Sequence, residues 1–230
     1  GSLIFLVASF SYDFVTLYFN FLNKKIIPFI LNENLQTDKI NTLSKKYLPN
    51  YIFSPKSKNF KNFFKINEIG NYSVFKNKII KKHKILNDTA LLMSTSGSTG
   101  DSKFVMISKK NLKSNTESII EYLKINHKDV CITTLPLSYS YGLSILNTHI
   151  YKGCLVVINK YSFFEEEFWK KFKYYKITSL SGVPFSFEIL LKLGFLNKSF
   201  KYFRYFTVAG GAINIEILKK FNAYCIKKKI

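Results

Sequence analysis

Cysteine is scarce in this chain. Cys131, Cys154 and Cys225 are the only three. They are odd in number, far apart and form no CxxC pair. That argues against a disulfide framework or a cysteine zinc site, and it fits a reducing, cytoplasmic compartment. Histidine is equally thin: His83, His127 and His149 are dispersed, and none is assigned a ligand or catalytic role. Acidic residues number 14 against 35 Lys and Arg, which leaves a formal net charge of +21. The Gly-Lys-Ser/Thr of a Walker phosphate loop is missing, and no GxGxxG follows a strand-like run, which removes the dinucleotide fingerprint. No internal repeat stands out.

A long unbroken apolar run is also absent. Residues 3–22 are rich in apolar and aromatic side chains, but Asp13 and Asn20 interrupt them, Ser9 and Ser11 split them, and no basic segment precedes them. A buried strand followed by an amphipathic helix accounts for this stretch better than a membrane span does.

What is present favours a globular α/β protein. Hydrophobic residues make up 47% of the 230, enough for a sizeable core, and the length suits one domain or two similar halves. The lysines are scattered and travel with Asn, Ile, Phe and Tyr, as a compositional bias acting on surface positions would place them. Runs such as 170–176, where base and ring alternate, fit amphipathic elements with solvated lysines and buried rings. Neither nucleic acid nor membrane is therefore expected as a partner, although the charge favours an anionic substrate such as ATP.

The patterning predicts strands at 3–8, 26–31, 51–53, 89–94, 104–107, 130–135, 155–158, 177–180 and 205–208. It predicts helices at 12–22, with Ser11 as N-cap, 37–46, 109–123, capped by Ser108, 139–151, 163–174, 185–193 and 213–227. The alternation implies an α/β fold of stacked, mostly parallel sheets flanked by helices. Residues 54–88 are rich in Lys and Asn with weak periodicity. They read as loops with short strands and as a boundary, which places one α/β subdomain at 3–88 and a second at 89–230. Gly1-Ser2 reads as the scar of a cleaved tag.

The densest chemistry is in Thr95-Ser96-Gly97-Ser98-Thr99-Gly100-Asp101-Ser102-Lys103, directly after the apolar run 90–93. Glycines let backbone N–H groups turn toward an anion, hydroxyls add rotatable donors, and the lysine adds a compact charge. The same composition also suits a plain polar turn between two strands.

Order and context decide between these. The run Thr-Ser-Gly-Ser-Thr-Gly-x-x-Lys, between two strands and a helix, resembles the signature (Ser/Thr)-Ser-Gly-(Ser/Thr)-Thr-Gly-x-Pro-Lys-Gly of the adenylate-forming superfamily, which holds acyl-CoA synthetases, amino-acid adenylating domains and luciferases. Ser102 stands in place of the proline and Phe104 in place of the final glycine. The stretch 135–143, Leu-Pro-Leu-Ser-Tyr-Ser-Tyr-Gly-Leu, is similar to the family's Pro-x-x-His-x-x-Gly segment, with Tyr139 where histidine is frequent. A helix entry with a surface tyrosine is the plainer alternative there. The stretch 206–212 resembles the strand and Gly-Gly-Ala turn beside the adenine, and Ser181-Gly182-Val183-Pro184 resembles a structural Val-Pro element. The four elements keep the family's order over residues 3–230.

The resemblance implies that Thr95, Ser96, Gly97, Ser98, Thr99, Gly100 and Lys103 bind the ATP phosphates. It implies that Tyr139 and Gly142 border an acyl pocket, and that Gly210, Gly211 and Ala212 lie on the adenine side. It further implies ATP and Mg²⁺ as cofactors, a small carboxylic or amino acid as substrate, and CoA or a phosphopantetheinyl carrier protein as acceptor. Tyr139-Ser140-Tyr141 holds no carboxylate to pair an α-amino group, which tilts toward an acid without one. The family's Tyr-Gly-x-Thr-Glu segment with its metal-holding Glu, the ribose-binding Asp and the mobile C-terminal domain with its catalytic Lys find no match. No residue here is therefore assigned a catalytic role, and the chain is expected to be an N-terminal fragment, poorly active alone. The alternative is an inactive module that retains nucleotide or acyl binding.

Overall fold

In a computed structural model the structure describes residues 2–24, 26–55, 58–80, 83, 88–94 and 104–230. The chain divides into two compact units. Residues 1–115 and 136–140 form the first, and residues 116–135 and 141–230 the second.

The first unit is built on a seven-stranded sheet. Its strands are β1 (Ser2–Val7), β2 (Ile26–Leu31), β3 (Tyr51–Ser54), β4 (Phe63–Ile69), β5 (Tyr72–Asn77), β6 (Thr89–Ser94) and β7 (Phe104–Ser108), in the order β4-β5-β3-β1-β2-β6-β7. β1 pairs in parallel with β2 and β3, and β2 with β6. β1 reads Leu-Ile-Phe-Leu-Val because both of its faces are buried, as central parallel strands require. Leu3, Phe5 and Val7 meet Ile27, Phe29 and Leu31 in one core layer. Helix α1 (Tyr12–Asn23) begins where expected: Ser11 Oγ accepts the Phe14 N–H at 3.1 Å. Its Phe14, Leu17, Tyr18 and Phe21 make the i, i+3, i+4, i+7 stripe that buries the helix. Helix α2 (Thr37–Tyr47) connects β2 to β3.

One sequence reading gains bounds here and another needs correction. The segment 54–88 holds a seven-residue and a six-residue strand, β4 and β5, paired antiparallel. β4 is an edge strand, exposed over nearly its whole length, so the burial rhythm that marks a strand is absent from it. The turn between the two needs Gly70: its φ is +55°, and a Cβ there would fall 2.3 Å from Asp13 Oδ1. The boundary expected at 88/89 also moves. β6 joins the first unit through the pairs Phe29↔Leu92 and Ile30↔Met93. The division falls instead within helix α3 (Lys109–Leu123), whose start Ser108 caps as expected, its Oγ accepting the Asn111 N–H at 3.0 Å.

The second unit is built on a wholly parallel sheet of β8 (Val130–Ile132), β9 (Leu155–Val157), β10 (Ser179–Gly182) and β11 (Tyr205–Val208), in the order β11-β10-β8-β9. Across both sheets six of nine strand pairings are parallel. The α/β architecture expected from the alternation is therefore present. Helices α4 (Ser140–Tyr151), α5 (Glu166–Tyr174), α6 (Pro184–Lys192) and α7 (Ile215–Lys228) connect or follow these strands. One core layer is largely aromatic: Phe168, Phe172, Phe187, Phe195, Phe203 and Phe221 are buried together, and Phe206 meets Phe221 edge-on at 5.1 Å. Among the described residues no helix is long and apolar enough to cross a membrane.

A buried carboxylate ties the amino ends of three strands. Asp129, 1% exposed, directly precedes β8. It accepts from the Arg204 guanidinium, from Thr178 Oγ1 at 3.0 Å, and from the Asn126 N–H at 2.9 Å. Thr178 directly precedes β10 and Arg204 directly precedes β11. Replacing Asp129 with Ala strands these donors and is expected to cost about 2–4 kcal/mol. Urea unfolding checks this, and a midpoint within error of wild type contradicts it.

Candidate functional site

In open parallel sheets ligands bind beyond the carboxyl ends of the strands. Most of the described candidate residues lie there. In the second unit the carboxyl end of β10 carries Ser181 and Gly182, and that of β11 carries Thr207 and Val208, with Ser181↔Thr207 and Gly182↔Val208 in register. Gly210, Gly211 and Ala212 follow in an exposed turn before α7. Gly210 has φ +89°, the left-handed region that favours glycine, so backbone rather than side chain faces outward. A bare turn of this kind lets a planar ring approach the main chain.

Gly182 is needed for packing. A Cβ on it would lie 2.6 Å from Ser186 Cβ, in the first turn of α6. Pro184 sits at the helix start, where a missing N–H costs nothing, and Ser186 Oγ accepts the Val183 N–H at 3.2 Å. The structural part assigned to the 181–184 element thus has a geometric basis.

Gly142 is buried in the first turn of α4, in the second unit. The adjacent Tyr141 makes a contact that no motif advertised. Its hydroxyl donates to Thr207 Oγ1 at 2.6 Å, and Thr207 Oγ1 donates to Ser181 Oγ at 2.7 Å. Thr134 Oγ1 donates to the Ser181 carbonyl at 2.5 Å. Four hydroxyl residues from α4, β11, β10 and the end of β8 are thus joined at the carboxyl edge of the sheet.

Deeper in the same unit, His149 Nδ1 lies 2.8 Å from the Ile145 carbonyl, so that nitrogen carries the proton. Nε2 is left to accept from the Tyr205 hydroxyl at 3.4 Å. Burial is the largest influence on both groups. It lowers the His149 pKa below its usual 6.5 and pushes the Tyr205 phenol up to about 12. Both are neutral at physiological pH. An apolar hollow of about 270 Å³ also lies along β11 and α7, walled by Phe187, Phe206 and Phe221. Few polar groups converge on it, so the site is not assigned there.

In the first unit a notch of about 30 Å³ lies beyond the carboxyl ends of β1 and β2, lined by 8–10, 32–34 and 136–138. β2 and β3 flank β1 on opposite sides, so the notch sits where the strand order reverses. Tyr139 follows it, half-buried, its N–H donating to the Pro136 carbonyl at 3.0 Å. Thr95, Ser96, Gly97, Ser98, Thr99, Gly100 and Lys103 lie outside the described residues. The strands on either side, β6 and β7, pair antiparallel, with Ser94 opposite Phe104. Among the described residues no three His, Cys, Asp or Glu come together as a metal site.

Comparison with known proteins gives a consistent picture. The model of a family described as AMP-binding enzyme matches residues 4–230. An acyl-CoA ligase, SID4 of Ajellomyces capsulatus, is 33% identical over 107 residues, which are 46% of this chain and 18% of that protein. The structure of o-succinylbenzoate CoA synthetase (MenE) from Bacillus subtilis, in complex with its acyl-adenylate intermediate, superposes with a TM-score of 0.77 at 20% identity. That match covers 97% of this chain and 59% of that one. ATP-bound MatB from Rhodopseudomonas palustris gives 0.72 at 16% identity, covering 97% and 47%. The chain thus spans about half the length of the solved structures it matches, and less of the curated relative.

Two outcomes follow from this geometry. Gly182→Ala is expected to destabilise the fold by about 1–3 kcal/mol through the collision with Ser186, and a thermal melt unchanged from wild type contradicts it. The His149 pKa is depressed, so below about pH 6.5 the unfolded chain takes up a proton that the fold resists. The stability associated with a neutral His149 is present above that value and is lost as pH falls toward the folded pKa. Wild type is expected to lose more melting temperature between about pH 7.5 and about 5.5 than His149→Gln does. Parallel pH profiles for the two proteins count against it.

Proposed function

The chain belongs to the AMP-binding enzyme family, and on that premise we propose that it is part of an ATP-dependent ligase that activates a small carboxylic acid. The carboxylate oxygen attacks the α-phosphorus of ATP. An acyl–phosphate anhydride bond forms, the bond to the bridging oxygen breaks, and pyrophosphate leaves with the electron pair. A thiol then attacks the acyl carbon and AMP departs.

The supporting observation is the ordered set of motifs in a chain that matches the family over residues 4–230. Lys103 and the hydroxyls of 95–99 supply charge and donors for the leaving pyrophosphate, where the largest electrostatic contribution is needed. The left-handed Gly210 turn offers bare backbone beside a nucleotide base. CoA is the acceptor favoured by the names of the SID4 and MenE relatives, and a carrier-protein phosphopantetheine presents the same thiol. The absence of a carboxylate in 139–141 favours an acid without an α-amino group. Mg²⁺ accompanies ATP in this reading, although the described residues bring no cluster of three His, Cys, Asp or Glu together to hold it. These 230 residues cover about half of the solved relatives, and nucleotide binding is the part of the reaction we assign to them.

Carboxylate-dependent ATP–pyrophosphate exchange by the whole protein tests the reading. Lys103→Ala and Thr99→Ala are each expected to lower it on the order of a hundredfold. Undiminished exchange in both variants sinks the phosphate assignment.

A further inference from the structure

We propose that the hydroxyl chain Tyr141–Thr207–Ser181 is a positioning device that makes the carboxylate and ATP bind cooperatively. The inference rests on the adenylate-forming reading above. Tyr141 lies in the first turn of α4, directly before Gly142 on the expected acyl side. Thr207 lies in β11, three residues before Gly210 on the expected adenine side. The 2.6 Å hydrogen bond between their hydroxyls joins the two sides, and the 2.7 Å bond from Thr207 to Ser181 carries the connection into β10.

Each hydroxyl has one hydrogen to give. Those of Tyr141 and Thr207 are both committed in the same direction, toward β10, and hydrogen bonds in series polarise one another. A contact needed only for stability is better made by apolar side chains, since burying hydroxyls carries a desolvation cost. The neighbouring strand residues Leu180 and Phe206 are used in that way, within the aromatic core. The polar chain instead fixes direction and distance, at the end of the sheet where ligands bind.

The two ends of these strands also differ in how they are held. Asp129 ties the amino ends. At the carboxyl end the Tyr141 phenol hydrogen bond links the start of α4 to β11. An acid seated beside Gly142 that settles the first turn of α4 therefore settles Thr207, and with it the approach to the Gly210 turn. Removing the phenol hydrogen breaks that connection while leaving the ring in place.

The experiment measures the affinity of the whole protein for α,β-methylene-ATP with and without saturating carboxylate. The carboxylate probe is whichever of acetate, benzoate and octanoate supports the fastest ATP–pyrophosphate exchange in wild type. In wild type the acid is expected to tighten the analogue about fivefold or more. In Tyr141→Phe and Thr207→Val that ratio is expected to fall to about one, with affinity for the analogue alone changed by less than about threefold. Thr207→Ser, which keeps the hydroxyl, is expected to retain the ratio. A wild-type ratio of one, a wild-type-like ratio in Tyr141→Phe, or failure of Thr207→Ser to preserve it overturns the inference while leaving the ligase reading intact. No acid-dependent exchange in wild type overturns the ligase reading, and this inference with it.

Discussion

One buried carboxylate organises the second unit. Asp129, Thr178 and Arg204 each stand immediately before a strand of the same parallel sheet, and their side chains meet. The backbone repeats the message: Arg204 N–H donates to the Thr178 carbonyl at 2.7 Å, and Thr178 N–H donates to the Val130 carbonyl at 2.9 Å. Fixing three strands at their starts fixes their phase, because a parallel ladder has a constant rise. Three residues later, about 10 Å along, Ser181 and Thr207 face each other as a consequence.

The site therefore depends on charge placed far from it. A carboxylate so deeply buried is costly unless every oxygen is satisfied. Here the guanidinium, a hydroxyl, a backbone amide and the Asn126 side-chain amide satisfy it. At the opposite end, β10 and β11 carry neutral hydroxyls and are followed by the bare Gly210 turn. The buried fixed charge thus serves the scaffold, while the facing ends of β10 and β11 are joined through hydroxyls.

Much of this was legible in the residues, and what was not has a common cause. β1, α1, β2 and α2 followed from local pattern, since their burial is periodic and Ser11 is an ordinary cap. β4 was given no bounds, because an exposed edge strand has no buried face to give it rhythm. The boundary at 88 failed because β6 completes its sheet against β2, some sixty residues earlier, and such a partner leaves no trace in the local sequence. The Gly-Gly-Ala turn was recognisable because its requirement is conformational and sits in one residue. The hydroxyl chain was not, because its members are 26 and 66 residues apart and each is unremarkable alone. The Asp129–Arg204 pair, 75 residues apart, was hidden for the same reason.

The five residues Pro136–Ser140 belong to the first unit, although the chain on both sides of them belongs to the second. On a ribosome this has an order of events attached. The seven strands of the first sheet have all been synthesised by residue 108, yet the wall that Pro136, Leu137 and Ser138 give to its notch has still to be made. By the time that wall emerges, β8 has emerged ahead of it, while its partners β9 and β10 are still to come. The last segment of the first unit is thus made only after synthesis of the second has begun.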